Sequence, residues 1–329
     1  MSFFAVLCAL LLEQVKPLPR DNPVHHALVA WVGWTGRNFD AGKPQHAWVV
    51  WGVGVLLPSL LTFALWLLVR HFTLIGAVLL NVALLYLTLG FRQFSHFFTQ
   101  IRDALAHGDE DRARRLLTEW RHLDASALPR GELLRHVIEH ALLAAHRHVF
   151  GVFFWFVVLA ALGLGPLGAV LYRMAEFASR YWGYRQRSLD APANPALLQA
   201  ARRAFELIDH VPARLTAFGF AVVGNFEEAV AAWRRDAALW AHANEGVILA
   251  AAAGAVGVQL GGVAAPGVTP DRSKTFSSGL ETDRAEAAGS TPGVPPQLAH
   301  MQSIVALVWR SVVLWMLLLA LLTLANLAG

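Results

Sequence analysis

Charge is scarce in this chain. Of its 329 residues, 15% are Asp, Glu, Lys or Arg and 56% are hydrophobic. A soluble domain usually carries about 25% charged residues, so the composition argues against an ordinary water-soluble globule. Cysteine is almost absent. Cys8 is the single one, which excludes an internal disulfide and argues against thiol catalysis. It sits in an apolar run, and burial in the first helix is expected. The formal net charge of +4 comes with no concentrated basic tract, so nucleic acid is not an expected partner. The small excess suits anionic lipid head groups. Residues 1–12 have no positive n-region and no small-residue cleavage site, and read as a short apolar helix rather than a signal peptide. No phosphate loop is present either. Gly163, Gly165 and Gly168 follow no evident strand and lack the terminal Lys-Ser/Thr pair. No spacing supports a Ser-His-Asp or Cys-His arrangement.

Long uncharged stretches are what the chain does have. Residues 47–69, 71–91, 149–172 and 311–329 contain no charged side chain. Each is long enough, as a helix, to cross a hydrocarbon core of about 30 Å. In lipid the backbone must satisfy its own polar groups, so these segments are expected to be helices. The fold class that follows is all-α: a polytopic integral membrane protein with about four firm transmembrane helices and up to seven. Its main partner is the lipid bilayer, which it is expected to cross several times. Orientation is not readable, because residues 92–148 and 173–246 carry nine arginines each.

The chain divides by composition. Residues 1–46 form an apolar helix and a Trp-rich connector containing Pro17, Pro19 and Pro23. A helix pair follows over 47–91, with only Arg70 and His71 between its halves and a kink expected at Pro58. Residues 92–148 read as an extramembrane helical region in which Glu110 pairs with Arg114 and Asp111 with Arg115. Residues 149–172 read as a transmembrane helix with a Gly/Pro-rich end. Residues 173–270 hold further helices and an Ala/Gly-rich segment, 246–266, that either packs tightly or re-enters the membrane. A flexible loop is expected over 271–300, then a final span over 301–329, with Arg310 snorkelling at its edge.

Few residues suggest chemistry. His136 and His140 share a helix face at a spacing that can chelate zinc, but not in the HExxH order. Interfacial histidine is the plainer reading, and the metal ligands stay unassigned. Asp209 with Arg214, and Glu245 beside Asn244, lie next to apolar runs, where charges are kept for pairing or ligand binding. Arg173, Arg185 and Arg214 together are candidates for holding phosphate.

Three ordered segments then resemble the CobD/CbiB and AmpE superfamily of bacterial inner-membrane proteins. FGVFFWFVVLAALGLGPLGAVLYRMAEFASRYWGYR (150–185) is similar to its LFW, glycine-rich and GxLLYR segment. IDHVPARLTAF (208–218) resembles its (N/D)xxPARL element. WRRDAALWAHANEGVILAAAAGAVGVQLGG (233–262) resembles its DA...SPNAG and AGALGVxLGG region. The resemblance to the CobD/CbiB branch implies amide formation between a corrinoid carboxylate and an aminopropanol-type substrate, with Mg2+ and ATP consumed. It implies corrinoid, aminopropanol phosphate and other membrane or cobalamin-pathway proteins as partners. The residues it points to are Asp209, Glu245 and Glu139 as catalytic carboxylates, with Arg173, Arg185, Arg214 and Asn244 holding cofactor or substrate.

The chain also departs from the synthase pattern. Where that branch has a Glu-Asn pair and an Asp, this sequence has Leu143, Ala144 and Arg147. The Ser-Pro of SPNAG is replaced too, leaving His242, Ala243, Asn244, Glu245 and Gly246. ALLAAHRHVFGVFFW (141–155) resembles AmpE instead. A non-enzymatic AmpE-like modulator of cell-wall signalling is therefore an alternative, and a transporter or channel component is another. An acid such as Glu139 or Glu245 facing Asp209 and Arg214 favours the enzyme.

Overall fold

The computed structural model describes residues 2–16, 23–40, 42–121, 124–187, 194–262 and 290–328. Among these residues the architecture is all-α, with no strand beyond two isolated bridges, Val258 to Val294 and Gly261 to Ser290. The helices are α1 (Ser2–Val15), α2 (Pro23–Phe39), α3 (Pro44–Trp51), α4 (Leu57–Phe72), α5 (Leu74–Thr88), α6 (Phe91–Ala106) and α7 (Glu110–Arg121). They continue as α8 (Arg130–Ala145), α9 (Gly151–Ala161), α10 (Leu167–Arg187), α11 (Pro195–Val223), α12 (Phe226–Asp236), α13 (Ala243–Val256) and α14 (Leu298–Ala328). Pro17, Pro19 and most of the expected flexible loop lie outside the described residues.

Among the described residues, three helices are long and apolar enough to cross a membrane: Pro44–Phe72, Arg130–Ala161 and Leu298–Ala325. The uncharged run at 71–91 forms only the 15-residue α5, which packs on α4 after a break at Thr73. The Thr73 hydroxyl caps it by accepting from Gly76 N. The uncharged run at 149–172 is not one helix. It breaks at the turn holding Gly163 and Gly165, whose φ values of +79° and +56° suit glycine. The apolar helix there begins instead at Arg130, through a π-helical turn, His146–Phe150. The expected water-facing character of residues up to 148 also fails on α8, where every residue from 133 to 145 is buried.

Smaller expectations meet mixed outcomes. Arg114 bonds Glu110 as expected, but it also takes Asp111, which the spacing had assigned to Arg115. Arg310 donates to Val223 O at 3.0 Å, tying α14 to the end of α11. Cys8 is exposed, because α1 turns Ala5, Val6 and Ala9 inward instead. The Ala/Gly-rich segment is a tightly packed helix up to Val256. Ala250 to Ala253 of α13 are fully buried, and a Cβ on Gly254 would fall on the Glu228 carbonyl of α12.

Two prolines are accommodated by the same device. A helical proline deprives the carbonyl four residues earlier of its usual donor. For Pro58 that carbonyl is Gly54 O, and the Trp31 indole donates to it at 3.2 Å. For Pro212 it is Ile208 O, and the Trp155 indole donates at 2.9 Å. The second bond fixes α9 against α11 one residue from Asp209.

Candidate active site

The buried polar groups of the core converge where α8, α10, α11 and α13 meet. α8 ends in the π-helical turn that carries His146, Arg147 and His148. Such turns widen a helix by one residue and occur often at functional sites. Here the turn sends His146 towards α11 and Arg147 towards α13. His146 Nε2 lies 2.7 Å from Asp209 Oδ1, and its Nδ1 lies 2.9 Å from Thr216 Oγ1. The Tyr172 hydroxyl donates to the same Asp209 Oδ1 at 2.8 Å. Glycine makes room for this: a Cβ on Gly151 would collide with the Tyr172 ring. His146, Tyr172, Asp209 and Thr216 are all buried. Asp209 Oδ1 takes both bonds, so Oδ2 has no hydrogen-bond partner among the described residues.

Next to this cluster, Arg147 Nη2 donates to Glu245 Oε1 at 2.6 Å. Arg214 donates to Asn244 Oδ1 at 3.1 Å and to His210 O at 2.8 Å. Asn244 Nδ2 in turn donates to Glu206 O at 2.9 Å, which anchors the start of α13 to α11. On α10, Glu176 sits between Arg173, at 2.8 Å, and Arg180, at 3.1 Å. Burial pushes the Glu176 carboxyl up, but Arg180, Arg173 and Arg147 outweigh burial and hold it below the usual carboxylate range.

The sequence-predicted residues therefore separate. Asp209, Glu245, Arg214 and Asn244 come together across α11 and α13. Arg173 faces the core with Glu176 as its partner. Arg185 stands twelve residues further along α10, about 18 Å at helical rise. Glu139 is fully buried elsewhere: its Oε1 accepts from Gly261 N at 2.7 Å and lies 3.6 Å from Arg135. That carboxylate pins the chain after α13. The histidines do not assemble as ligands. His136 bonds Arg121 at 2.9 Å, and His140 packs edge-on against Trp120. No group of three or more metal-binding side chains exists among the described residues.

His146, Arg147, Tyr172, Thr216 and Glu176 are the members that sequence reasoning missed. A signal existed for two of them. His146 and Tyr172 are polar residues at the edges of apolar segments.

A separate cavity of about 180 Å³ lies between α1, α6, α8 and α14, lined by Gln14, Thr99, Arg102, Ile304, Val308 and Trp309 among others. It is mostly apolar and brings no acid and base face to face across helices. The polar cluster is therefore the candidate for chemistry.

At the start of α13, His242 Nδ1 lies 3.9 Å from Glu206 Oε1, and this pairing raises the imidazole pKa above its ordinary value. A raised folded-state pKa stabilises below the free value of about 6.5 and loses that contribution as pH rises through the folded value. The pair is well exposed, so the effect is small. The stability gap between wild type and His242→Ala is expected to be under about 1 kcal/mol at pH 6 and to close by about pH 9. Chemical denaturation at the two pH values reads it, and a gap that widens with pH contradicts the pairing.

Known proteins are similar to this chain in sequence. A family model described as "CobD/Cbib protein" matches residues 6–286. A "Cobalamin biosynthesis protein CobD" of Stutzerimonas stutzeri is 33% identical over 324 residues, covering 96% of each chain. A protein of the same name from Chromobacterium violaceum is 36% identical over 210 residues, covering 63% of this chain and 62% of its own. One from Leptospira interrogans is 27% identical over 191 residues, covering 56% of this chain and 57% of its own. No solved structure matches. The AmpE-like and transporter readings find no support in these relatives.

Proposed function

The chain belongs to the CobD/CbiB protein family of cobalamin biosynthesis, and from that premise we propose that it joins an aminopropanol-type amine to a corrinoid carboxylate beside the His146–Asp209–Tyr172 cluster. The observation that carries this reading is Asp209: a buried carboxylate with one oxygen locked by two hydrogen bonds and the other unpartnered. Forming the amide makes a C–N bond, breaks the bond from carbonyl carbon to the activated oxygen, and releases a proton from the amine. Asp209 Oδ2 is the group that accepts that proton. His146 and Tyr172 hold the carboxylate in place and spread its charge, and Thr216 fixes the His146 ring.

A free carboxylate does not condense with an amine unaided, so ATP is the proposed activating co-substrate, with Mg2+ as its counter-ion. The described residues do not fit a resident metal site. Glu176 and Glu245 are each engaged by arginine, Asp209 is taken by His146 and Tyr172, and no three metal-binding side chains come together among the described residues. No step is therefore routed through a metal. Glu245 stands at the site although the synthase pattern has no acid at its position. Arg147 holds it from the position where that pattern has Asp. The site thus keeps a carboxylate at its rim, carried by α13 in place of α8. The bacterial inner membrane, crossed by more than one helix, is the proposed location; the three long apolar helices support it.

The test is growth. A bacterium lacking its own gene of this family, fed a corrinoid acid that requires aminopropanol attachment, is expected to recover cobalamin-dependent growth when this chain is expressed. Failure with protein shown by blotting to be in the membrane contradicts the proposal.

A further inference from the structure

The cavity between α1, α6, α8 and α14 has two unlike walls. One is polar. Ser95, Thr99 and Arg102 follow at spacings of four and three along one face of α6, and Gln14 at the end of α1 joins them. Phe97, Ile101 and Leu105 of the same helix turn into the core instead. The other wall is apolar, made by Ile304, Val305, Val308 and the Trp309 ring of α14. Arg102 is the single ionisable side chain of the lining. Its Nε and Nη2 donate to the neighbouring Asp103, and Nη1 makes no hydrogen bond among the described residues. That leaves a cation with a donor to spare at a wall that holds no carboxylate.

The cavity also sits at a membrane edge. α14 has 31 residues, about 46 Å at helical rise, against a hydrocarbon core of about 30 Å. Its uncharged part starts at Ser311, so residues 304–310 lie at the edge. Trp309 and Tyr86 are side chains that favour such an interface. The Tyr86 hydroxyl donates to Lys16 O at 2.6 Å, two residues beyond Gln14. The opposite edge is where Arg70 lies over the Trp66 ring and Trp66 packs on Gly165. The segments that reach it, 44–91, 148–172 and 311–328, contain Arg70 and no other Lys or Arg. The two regions with nine arginines each, 92–148 and 173–246, return to the cavity's edge, because α9 and α10 form a hairpin between them.

We propose that this cavity binds one anionic phospholipid of the surrounding leaflet. Arg102 Nη1 and the Thr99 hydroxyl take the headgroup phosphate. The cavity, about 180 Å³, has the size of a headgroup and not of a whole lipid. An acyl chain runs out of it along Trp309, Val313, Leu317 and Leu321, an exposed apolar stripe at spacings of four on α14. The positive-inside bias makes the cavity's edge the cytoplasmic one, and that leaflet carries acidic lipid. A headgroup with its own ammonium finds no carboxylate in the lining, which sets the preference for net negative charge. Ala141 of α8 lines the cavity five residues before His146, so the lipid braces α8 ahead of the π-helical turn. None of this depends on the synthase reading.

Native mass spectrometry of the full chain, stripped of lipid in a neutral detergent, tests this. The probes are phosphatidylglycerol and phosphatidylethanolamine with the same acyl chains, and glycerol phosphate. One phosphatidylglycerol per chain is expected to be retained, with a preference of at least about tenfold over phosphatidylethanolamine. Arg102→Gln is expected to abolish the preference, and Arg102→Lys to keep it. Arg112→Gln, at an exposed arginine of α7 outside the lining, is expected to change nothing. Val305→Trp, which fills the cavity, is expected to bring phosphatidylglycerol down to the level of phosphatidylethanolamine. These are ratios on one variant at a time, so lost stability alone does not produce them. Equal retention of both lipids overturns the site and leaves only a lipid annulus. Equal loss in Arg102→Gln and Arg112→Gln overturns it in favour of general surface charge. Displacement of the lipid by glycerol phosphate overturns it in favour of a soluble phosphate.

Discussion

Asp209→Asn is expected to lower amide formation by about 10²–10⁴-fold, the range for removing a positioned general base. Asparagine keeps the shape of the side chain, and its carbonyl still accepts from Tyr172. What it loses is the second carboxylate oxygen, the proposed acceptor of the amine proton, and the negative charge facing His146. Alanine is a poorer probe. It leaves His146 and the Tyr172 hydroxyl without their buried acceptor, and breaking one side of a buried charged contact costs about 3–5 kcal/mol of stability. Turnover of the asparagine variant, measured on protein whose melting temperature stays near wild type, separates chemistry from folding. Turnover within about threefold of wild type contradicts a proton-accepting role for Asp209, because a positioned base contributes far more than that.

Gly168→Ala is expected to have a large effect on stability. Gly168 lies in the first turn of α10, where a Cβ would fall on the Trp155 carbonyl of α9 and within 3.1 Å of Phe156 N. The obstacle is backbone, so no side chain can swing aside. Overpacking of this kind costs about 3 kcal/mol, a fall in melting temperature of roughly 5–10 °C for a chain of this size. The damage also reaches the site. Trp155 holds the Ile208 carbonyl that Pro212 leaves without its usual donor, so a displaced α9 drags on α11 beside Asp209. Gly131→Ala is the control: nothing lies within 4 Å of its added Cβ. That replacement, inside a helix, is expected to raise stability by about 0.5–1 kcal/mol. A Gly168→Ala protein that melts with wild type contradicts the close α9–α10 contact.

How far the sequence could be read follows from the physics of each signal. Uncharged runs gave the all-α membrane class, because burying charge in lipid is costly over any long window. They misplaced one helix. Residues 149–172 are uncharged, but Gly163 and Gly165 take positive φ and end the helix at Ala161. The apolar helix instead runs back through His146 and Arg147, whose polarity hides its start from a charge count. The burial of α8, whose helix was expected, was hidden for a related reason: Arg135 and Glu139 neutralise each other inside the core, so its sequence reads as solvent-facing.

The site was half legible. Asp209, Arg214, Asn244 and Glu245 stand next to apolar runs and were found by that rule. His146 lies 63 residues from Asp209, and no spacing rule links them. The π-helical turn that aims it at Asp209 has no sequence signature. Arg147 stands where the synthase pattern has Asp, and its pairing with Glu245 on α13, 2.6 Å away, has no spacing signal in the sequence.

The central claim is that this chain makes an amide bond, and the most direct measurement is product mass. Purified protein in nanodiscs receives an adenosylated corrinoid acid, 1-amino-2-propanol phosphate, Mg2+ and ATP. The predicted result is a corrinoid heavier by the amine phosphate less one water, formed with nucleotide consumption and nearly absent with Asp209→Asn. No such product from folded wild-type protein, while a known synthase run alongside turns over, would contradict the claim.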